Sequence, residues 1–188
     1  MAPSVPYARP LVHRGKNAAL KPAQRVALQL AIDTAEATSR RVAGYPPALQ
    51  PVSVAQFLLE SAWGAADCGG ARNYFGIKAR GDEPFVERQT REVVRGKTLV
   101  TKARFRKFAS IEECFVAHAL LITTRRRGDR LIYEKAMAHP LSPVAFAHAL
   151  TGIYATDPEY GTKLVRAMRD RGLLDTFGFV QVNREPTA

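Results

Sequence analysis

Between Val54 and Gly64 the chain sets one carboxylate, Glu60, in an otherwise mostly apolar stretch with helical spacing. Gln56, Glu60 and Trp63 fall at i, i+4 and i+7, so amide, acid and indole share a stripe while Val54, Phe57, Leu58 and Ala62 supply apolar surface elsewhere. The fold must therefore surround this helix with packing partners and still present one polar stripe. Gly64 is a natural helix stop, which puts Glu60 in the last turn, where the partly negative carbonyl end disfavours a further negative charge. Desolvation by Trp63 acts in the same direction. Both effects favour a protonated carboxyl able to donate near neutral pH, so Glu60 reads as a general acid rather than a solvated surface residue.

At 188 residues one sizeable core is expected rather than two. Residues 1–20, with Pro3, Pro6 and Pro10 among basic residues, read as an extended arm, 21–179 as the domain and 180–188 as a loose tail. The arm has no apolar core segment, so no secretory signal peptide is expected in this chain, and export by another route or prior removal of a signal follows. No run reaches the roughly 18 apolar residues that span a bilayer; the nearest, Phe115 to Ile122, contains His118.

Lys21 to Val42 reads as a helix with Leu28, Ala31, Ile32 and Ala35 at core spacing. Pro46, Pro47 and Pro51 punctuate before the Glu60 helix, and Gly69, Gly70 and Asn73 mark a loop after it. From Phe85 to Phe108, alternating and β-branched residues flank Arg95-Gly96-Lys97, the pattern of a hairpin. Ser110 and Glu113 form a capping box for a helix to about Thr124. Shorter helices are expected over 130–138 and 143–150. Thr156 and Glu159 form a second box, with Pro158 in the first turn of a last helix to about Arg171.

Four segments carry a resemblance: Ala55 to Gly64, Asn73-Tyr74-Phe75-Gly76-Ile77-Lys78, Phe105 to Glu113, and Tyr154-Ala155-Thr156-Asp157-Pro158-Glu159-Tyr160. In this order they resemble the glucosaminidase family of bacterial cell-wall hydrolases (glycoside hydrolase family 73), whose patterns are A-Q-x-x-L-E-S-x-W-G, N-x-F-G-I-K, F-R-x-Y-x-S-x-x-E and Y-A-T-D-P-x-Y. Phe108 stands where the third pattern has Tyr. The resemblance implies a mainly α (α+β), lysozyme-like single domain, with a helical lobe and a small β-hairpin lobe bordering a glycan groove. It also implies an endo-β-N-acetylglucosaminidase cleaving the β-1,4 bond between N-acetylglucosamine and N-acetylmuramic acid in peptidoglycan. The same architecture supports muramidases and lytic transglycosylases, which stand as alternatives. A basic nucleic-acid-binding module or a non-catalytic wall-binding module are the alternatives of a different class.

Glycoside hydrolysis needs an acid at the leaving oxygen and a second group that activates water or stabilises the oxocarbenium-like centre. The family's β-lobe acid follows T-x-E, and Thr90-Arg91-Glu92 reproduces it with Thr90 and Glu92 on one strand face. Glu83 and Glu87 are rivals, and Glu92 among Arg88, Arg91 and Arg95 also reads as charge-balanced surface. Alternatively the substrate's acetamido group attacks, with Tyr154 as its positioning partner. Gln56, Trp63, Asn73, Phe75 and Lys78 are the expected substrate-binding residues, although Trp63 and Phe75 equally read as core aromatics.

No metal or organic cofactor is expected, because Cys68 and Cys114 form no C-x-x-C pair and the histidines form no cluster. The cysteines read as partly buried thiols, with one disulfide as the alternative, and His118 as a structural residue. The net charge of +11 and pI near 10.1 favour acidic partners. Nucleic acid is not expected, for want of any recognition signature; peptidoglycan strands and anionic envelope polymers are. Arg125-Arg126-Arg127 reads as a solvated helix end whose cations suit the helix dipole. The expectation is a monomer acting in the bacterial cell wall.

Overall fold

The first predicted helix forms as α1, Pro22–Arg41, in a computed structural model that describes residues 19–94 and 97–179, without the side chains of 91–99. Most of the expected arm, the tail after Phe179 and the hairpin turn at Arg95-Gly96 lie outside the described residues. Lys21 precedes α1 in extended conformation, its N–H donating to Gln24 Oε1 over 3.1 Å, and Pro22 occupies the first helical position, where no N–H is needed. Leu28, Ala31, Ile32 and Ala35 are all buried, as their spacing predicts.

Helix α2, Leu49–Glu60, is the centre of the core: every residue from Pro51 to Leu58 is buried. A helix apolar nearly all round is stable only when surrounded. It packs against α1, against α5 (Pro143–Ala149) and against α6 (Tyr160–Asp170). Its end is abrupt. Buried Ser61 donates its hydroxyl to Phe57 O at 2.5 Å and accepts from Gly64 N at 2.8 Å, while Trp63 N donates back to Leu58 O at 3.1 Å. Ala62 (φ 47°), Trp63 (φ 65°) and Gly64 (φ 79°) are all left-handed. For the two non-glycine residues that conformation costs about 1–2 kcal/mol each, and the Ser61 knot is what holds it.

Strands β1 (Phe85–Val94) and β2 (Lys97–Arg106) form the predicted antiparallel hairpin, in register from Phe85 opposite Arg106 to Val94 opposite Lys97. Arg88 ties its lower half to the loop after α2, donating to Cys68 O at 3.2 Å and to Gly69 O at 3.1 Å. A Cβ on Gly69 would fall 1.3 Å from the Arg88 guanidinium, so this clasp requires glycine there.

Helix α3, Ile111–Thr124, opens on Ser110, whose hydroxyl accepts from Glu113 N at 3.3 Å. The Glu113 carboxylate reaches back to Ala109 N at 2.9 Å, one residue before the box predicts. Beyond Thr124 the chain departs from expectation in two places. Arg125 is the C-cap, extended (φ −68°, ψ 129°), but Arg126–Arg127 (β3) pairs with Arg130–Leu131 (β4), so the arginine run begins at the helix end and continues into a hairpin. Gly128, at φ 60°, takes the left-handed turn that allows so tight a hairpin. Helix over 130–138 shrinks to α4, Glu134–Met137.

Helix α5 starts as expected, with Ser142 accepting from Ala145 N at 3.3 Å. Helix α6 starts at Tyr160 and not at the Thr156 box. Asp157 instead closes a turn on Glu159 N at 2.9 Å and pairs with Lys163, leaving Pro158 outside the helix. Gly161 lets α6 press onto α5: a Cβ there would lie 2.7 Å from the Cα of His148. The chain continues into α7, Leu173–Thr176. Both cysteines are free, and burial pushes the Cys114 thiol up to about 12. Among the described residues no helix is long and apolar enough to cross a membrane.

Candidate active site

Glu60 is the last residue of α2 and Tyr160 the first of α6, and the packing of those helices brings the phenol onto the carboxylate. Tyr160 donates to Glu60 Oε1 at 2.7 Å, and Gln56 Nε2 donates to the Tyr160 oxygen at 2.9 Å. The amide nitrogen has only protons to offer, so it fixes the direction of the relay: the phenolic proton points at Glu60. Gln56 and Glu60 share a helix stripe as their spacing predicts, but Gln56 is fully buried and serves Tyr160.

Glu60 keeps an open side towards solvent, yet the protein around it removes enough water to raise its carboxyl above the ordinary value of 4.5; the Tyr160 hydrogen bond opposes this and is the smaller effect. That combination is what a wall of a cleft produces. Burial, and then the neighbouring Glu60 charge, drive the Tyr160 phenol up, so it stays a proton donor.

The Tyr154 ring lies parallel to Tyr160, centroids 5.7 Å apart and planes at 10°. Its hydroxyl donates to Phe75 O at 3.1 Å. The Phe75 ring is buried and stacks on His118 at 4.0 Å, and His118 meets Tyr154 edge-on at 5.9 Å. His118 is fully buried, neither ring nitrogen has a hydrogen-bond partner among the described residues, and desolvation lowers it to about 3. It is a neutral ring in an aromatic stack that backs Tyr154 and, through it, Tyr160.

Asn73 is buried and closes the loop after α2. Its Nδ2 donates to Ile77 O and Arg106 O, both at 2.8 Å, and its Oδ1 accepts from Ile77 N at 2.9 Å. The N-x-F-G-I-K segment is thereby fastened to the root of β2. Lys78 lies over the Phe105 ring at 3.9 Å. Trp63 packs against the core with the Arg171 guanidinium 5.1 Å from its ring. Glu92 lies on β1 opposite Leu99, and its side chain is outside the described residues. Of its rivals, Glu83 is held by Arg106 at 3.0 Å and by Arg80 N at 2.9 Å, while Glu87 is exposed on β1 opposite Arg104.

Thus Glu60, Gln56 and Tyr154 converge, Phe75 and Asn73 brace them, and Tyr160 joins them unforeseen. Its signal was the closing Tyr of the Y-A-T-D-P-E-Y segment, obscured by placing the helix start at Thr156. A groove of about 740 Å³ runs between α3, the loop carrying Gly76 to Glu83, and Tyr133. Tyr154 is among its lining residues, and Glu60, which is not, is held by Tyr160, the ring stacked on Tyr154.

Residues 37–173 match the profile of a family described as "Glucosaminidase: Mannosyl-glycoprotein endo-beta-N-acetylglucosaminidase". The chain is 41% identical over 120 residues to an autolysin of Enterococcus faecalis, covering 60% of this chain and 16% of that protein. It is 33% identical over 145 residues to a probable N-acetylmuramidase of Lactococcus lactis, covering 76% of this chain and 33% of that one. The chain therefore spans a third or less of these two relatives. Its structure is similar to the catalytic domain of the autolysin Auto from Listeria monocytogenes, with a TM-score of 0.70 and 25% identity, covering 84% of this chain and 91% of that domain.

Proposed function

The chain belongs to the glucosaminidase family, and on that premise we propose that it hydrolyses peptidoglycan as an endo-β-N-acetylglucosaminidase, cutting the β-1,4 bond from N-acetylglucosamine to N-acetylmuramic acid. The observation that carries this reading is the Glu60 carboxyl, raised by desolvation at the end of a buried helix and held by the Gln56–Tyr160 relay. A carboxyl whose burial favours the protonated form, placed at the open edge of the core, can deliver that proton to a leaving glycosidic oxygen. Tyr160 donates to Oε1, which leaves Oε2 to carry the acidic proton. As the proton departs, the Tyr160 hydrogen bond strengthens on the forming carboxylate and stabilises it.

The second participant is Glu92 activating water, or the substrate's own acetamido group. Tyr154, braced at Phe75 O, positions the sugar beside Glu60. Lys78 and the edge of Trp63 contribute to substrate contact, whereas Gln56, Asn73 and Phe75 act through the residues they hold. Residues 21–179 form one catalytic unit acting on peptidoglycan outside the cytoplasm.

The muramidase name of the Lactococcus lactis relative favours a second reading, in which the neighbouring β-1,4 bond is cut. Mass spectrometry of digested peptidoglycan separates them. The expected products carry N-acetylglucosamine at the new reducing end. Reducing N-acetylmuramic acid would establish the muramidase, and anhydro-muramic termini the transglycosylase. Intact glycan alongside DNA binding of steep salt dependence would replace the enzyme with a nucleic-acid module.

A further inference from the structure

The groove beyond Tyr154 has a composition that a neutral sugar chain does not call for. Its floor is aliphatic, with Val116, Ala117, Leu120, Leu121 and Ile153, of which Leu120 and Ile153 are 43% and 38% exposed. Around it stand Arg41, Lys78, Arg80, Arg106, Arg125 and Arg126, against Glu83 and Glu113 among the described residues, a surplus of four positive charges in the lining. Both carboxylates are already engaged, Glu83 with Arg106 at 3.0 Å and Glu113 with Ala109 N at 2.9 Å. Phe75, Tyr133 and Tyr154 also line this space, as a sugar would call for, but beside them it offers small aliphatic contacts under a cationic rim, which a neutral sugar does not call for. That suits a short peptide with small side chains and several free carboxylates.

We propose that this groove binds the carboxylate-bearing stem peptide that branches from the muramic acid residue, so that stem and glycan are read together, the stem here and the scissile bond at Glu60. The assignment rests on the peptidoglycan-hydrolase reading. It follows from proximity: Tyr154 both lines the groove and stacks on the Tyr160 that holds Glu60, which sets the groove two side chains away from the acid, within reach of a peptide attached to the sugar next to the cleaved bond. The groove concentrates six of the chain's cations in one concave space, where they act together on a ligand joined to the substrate.

The test compares three substrates: intact peptidoglycan freed of phosphate polymers, the same strands with stems removed by an amidase, and strands whose stem carboxylates have been chemically amidated. The wild-type protein should lose about tenfold or more in kcat/KM on stripped or amidated strands, the scale expected when several partly exposed ion pairs with the substrate are removed together. An Arg80→Gln/Arg125→Gln double variant, checked by circular dichroism and melting, should bring the intact-to-stripped ratio towards one. Equal wild-type rates on all three substrates would overturn the stem assignment and leave the hydrolase reading standing. A rate that falls on removing phosphate polymers and not on removing stems would also overturn it, making the bound anion a phosphate. Absence of cleavage on every substrate would remove the hydrolase reading and this assignment with it.

Discussion

The phenol of Tyr160 sits 2.7 Å from Glu60 Oε1 across a separation of 100 residues. Replacing it by Phe should move two observables in opposite senses. The hydrogen bond lowers the Glu60 carboxyl, so its loss lets desolvation raise that group further, and the alkaline limb of the pH–rate profile should shift to higher pH. The developing carboxylate also loses its donor, so turnover should fall about ten- to a hundredfold. A purely structural Tyr160 would leave the pH profile in place.

Glu60→Gln removes the acidic proton and keeps the shape, and turnover should fall by about two to four orders of magnitude. Stability should respond with a definite sign. Because the folded-state carboxyl is raised above 4.5, the wild-type contribution is fullest below that value and is lost as pH rises through the raised one. The amide does not titrate. The variant should therefore melt higher than wild type at pH 7, with the gap closing on acidification below pH 4.5. A gap of the opposite sign would show that Glu60 is stabilised as a carboxylate.

His118 gives the mirror-image case. Its folded-state value is lowered from 6.5 to about 3, so its neutral form contributes stability above pH 6.5 that drains away as pH falls towards 3. His118→Phe removes two unpartnered nitrogens from the aromatic stack. It should be close to neutral at pH 7 and should flatten the acid side of the melting curve, measured by calorimetry between pH 7 and 4. An unchanged acid slope would exclude His118 as its source.

Asn73→Ala should destabilise by about 1–3 kcal/mol, since it removes three hydrogen bonds to part-buried backbone groups at once, of which Ile77 O keeps Arg106 N. Activity should fall as well, because the loop it pins carries Phe75, whose carbonyl takes the Tyr154 hydroxyl. Tyr154→Phe, which breaks only that last bond, should cost about 1 kcal/mol. A turnover loss well beyond that in a protein of near-native melting temperature would assign the hydroxyl to the substrate.

Elements set by local chemistry were legible in the chain: α1 from its 3.6-residue apolar spacing and Pro22, α3 and α5 from their serine caps, the hairpin from alternation. Where the code is not local, reading failed. The expected helix over 130–138 loses its first residues to a hairpin with Arg126–Arg127, a pairing across the turn at Gly128 that neither strand signals on its own. The late start of α6 goes with Asp157 closing a turn on Glu159 N, so that Thr156 and Glu159 form no box and the helix begins at Tyr160. At the site, Glu60 was visible because its acid lies on an apolar helix, and Tyr154 because of its motif. Tyr160 closes the same motif, but its role was not legible, since which carboxylate a phenol meets depends on how the start of one helix packs against the end of another.

Gly161 turns this contact into a matter of clearance. The residue next to Tyr160 lies where even one methyl group would strike the backbone of His148 at 2.7 Å. The reach of the phenol to Glu60 thus depends on an atom that is missing, and Gly161→Ala would act as a shim between α5 and α6. The acid would then be detuned by a residue that touches neither it nor the glycan, so tolerance to change at this site is narrowest at a position with no chemistry of its own.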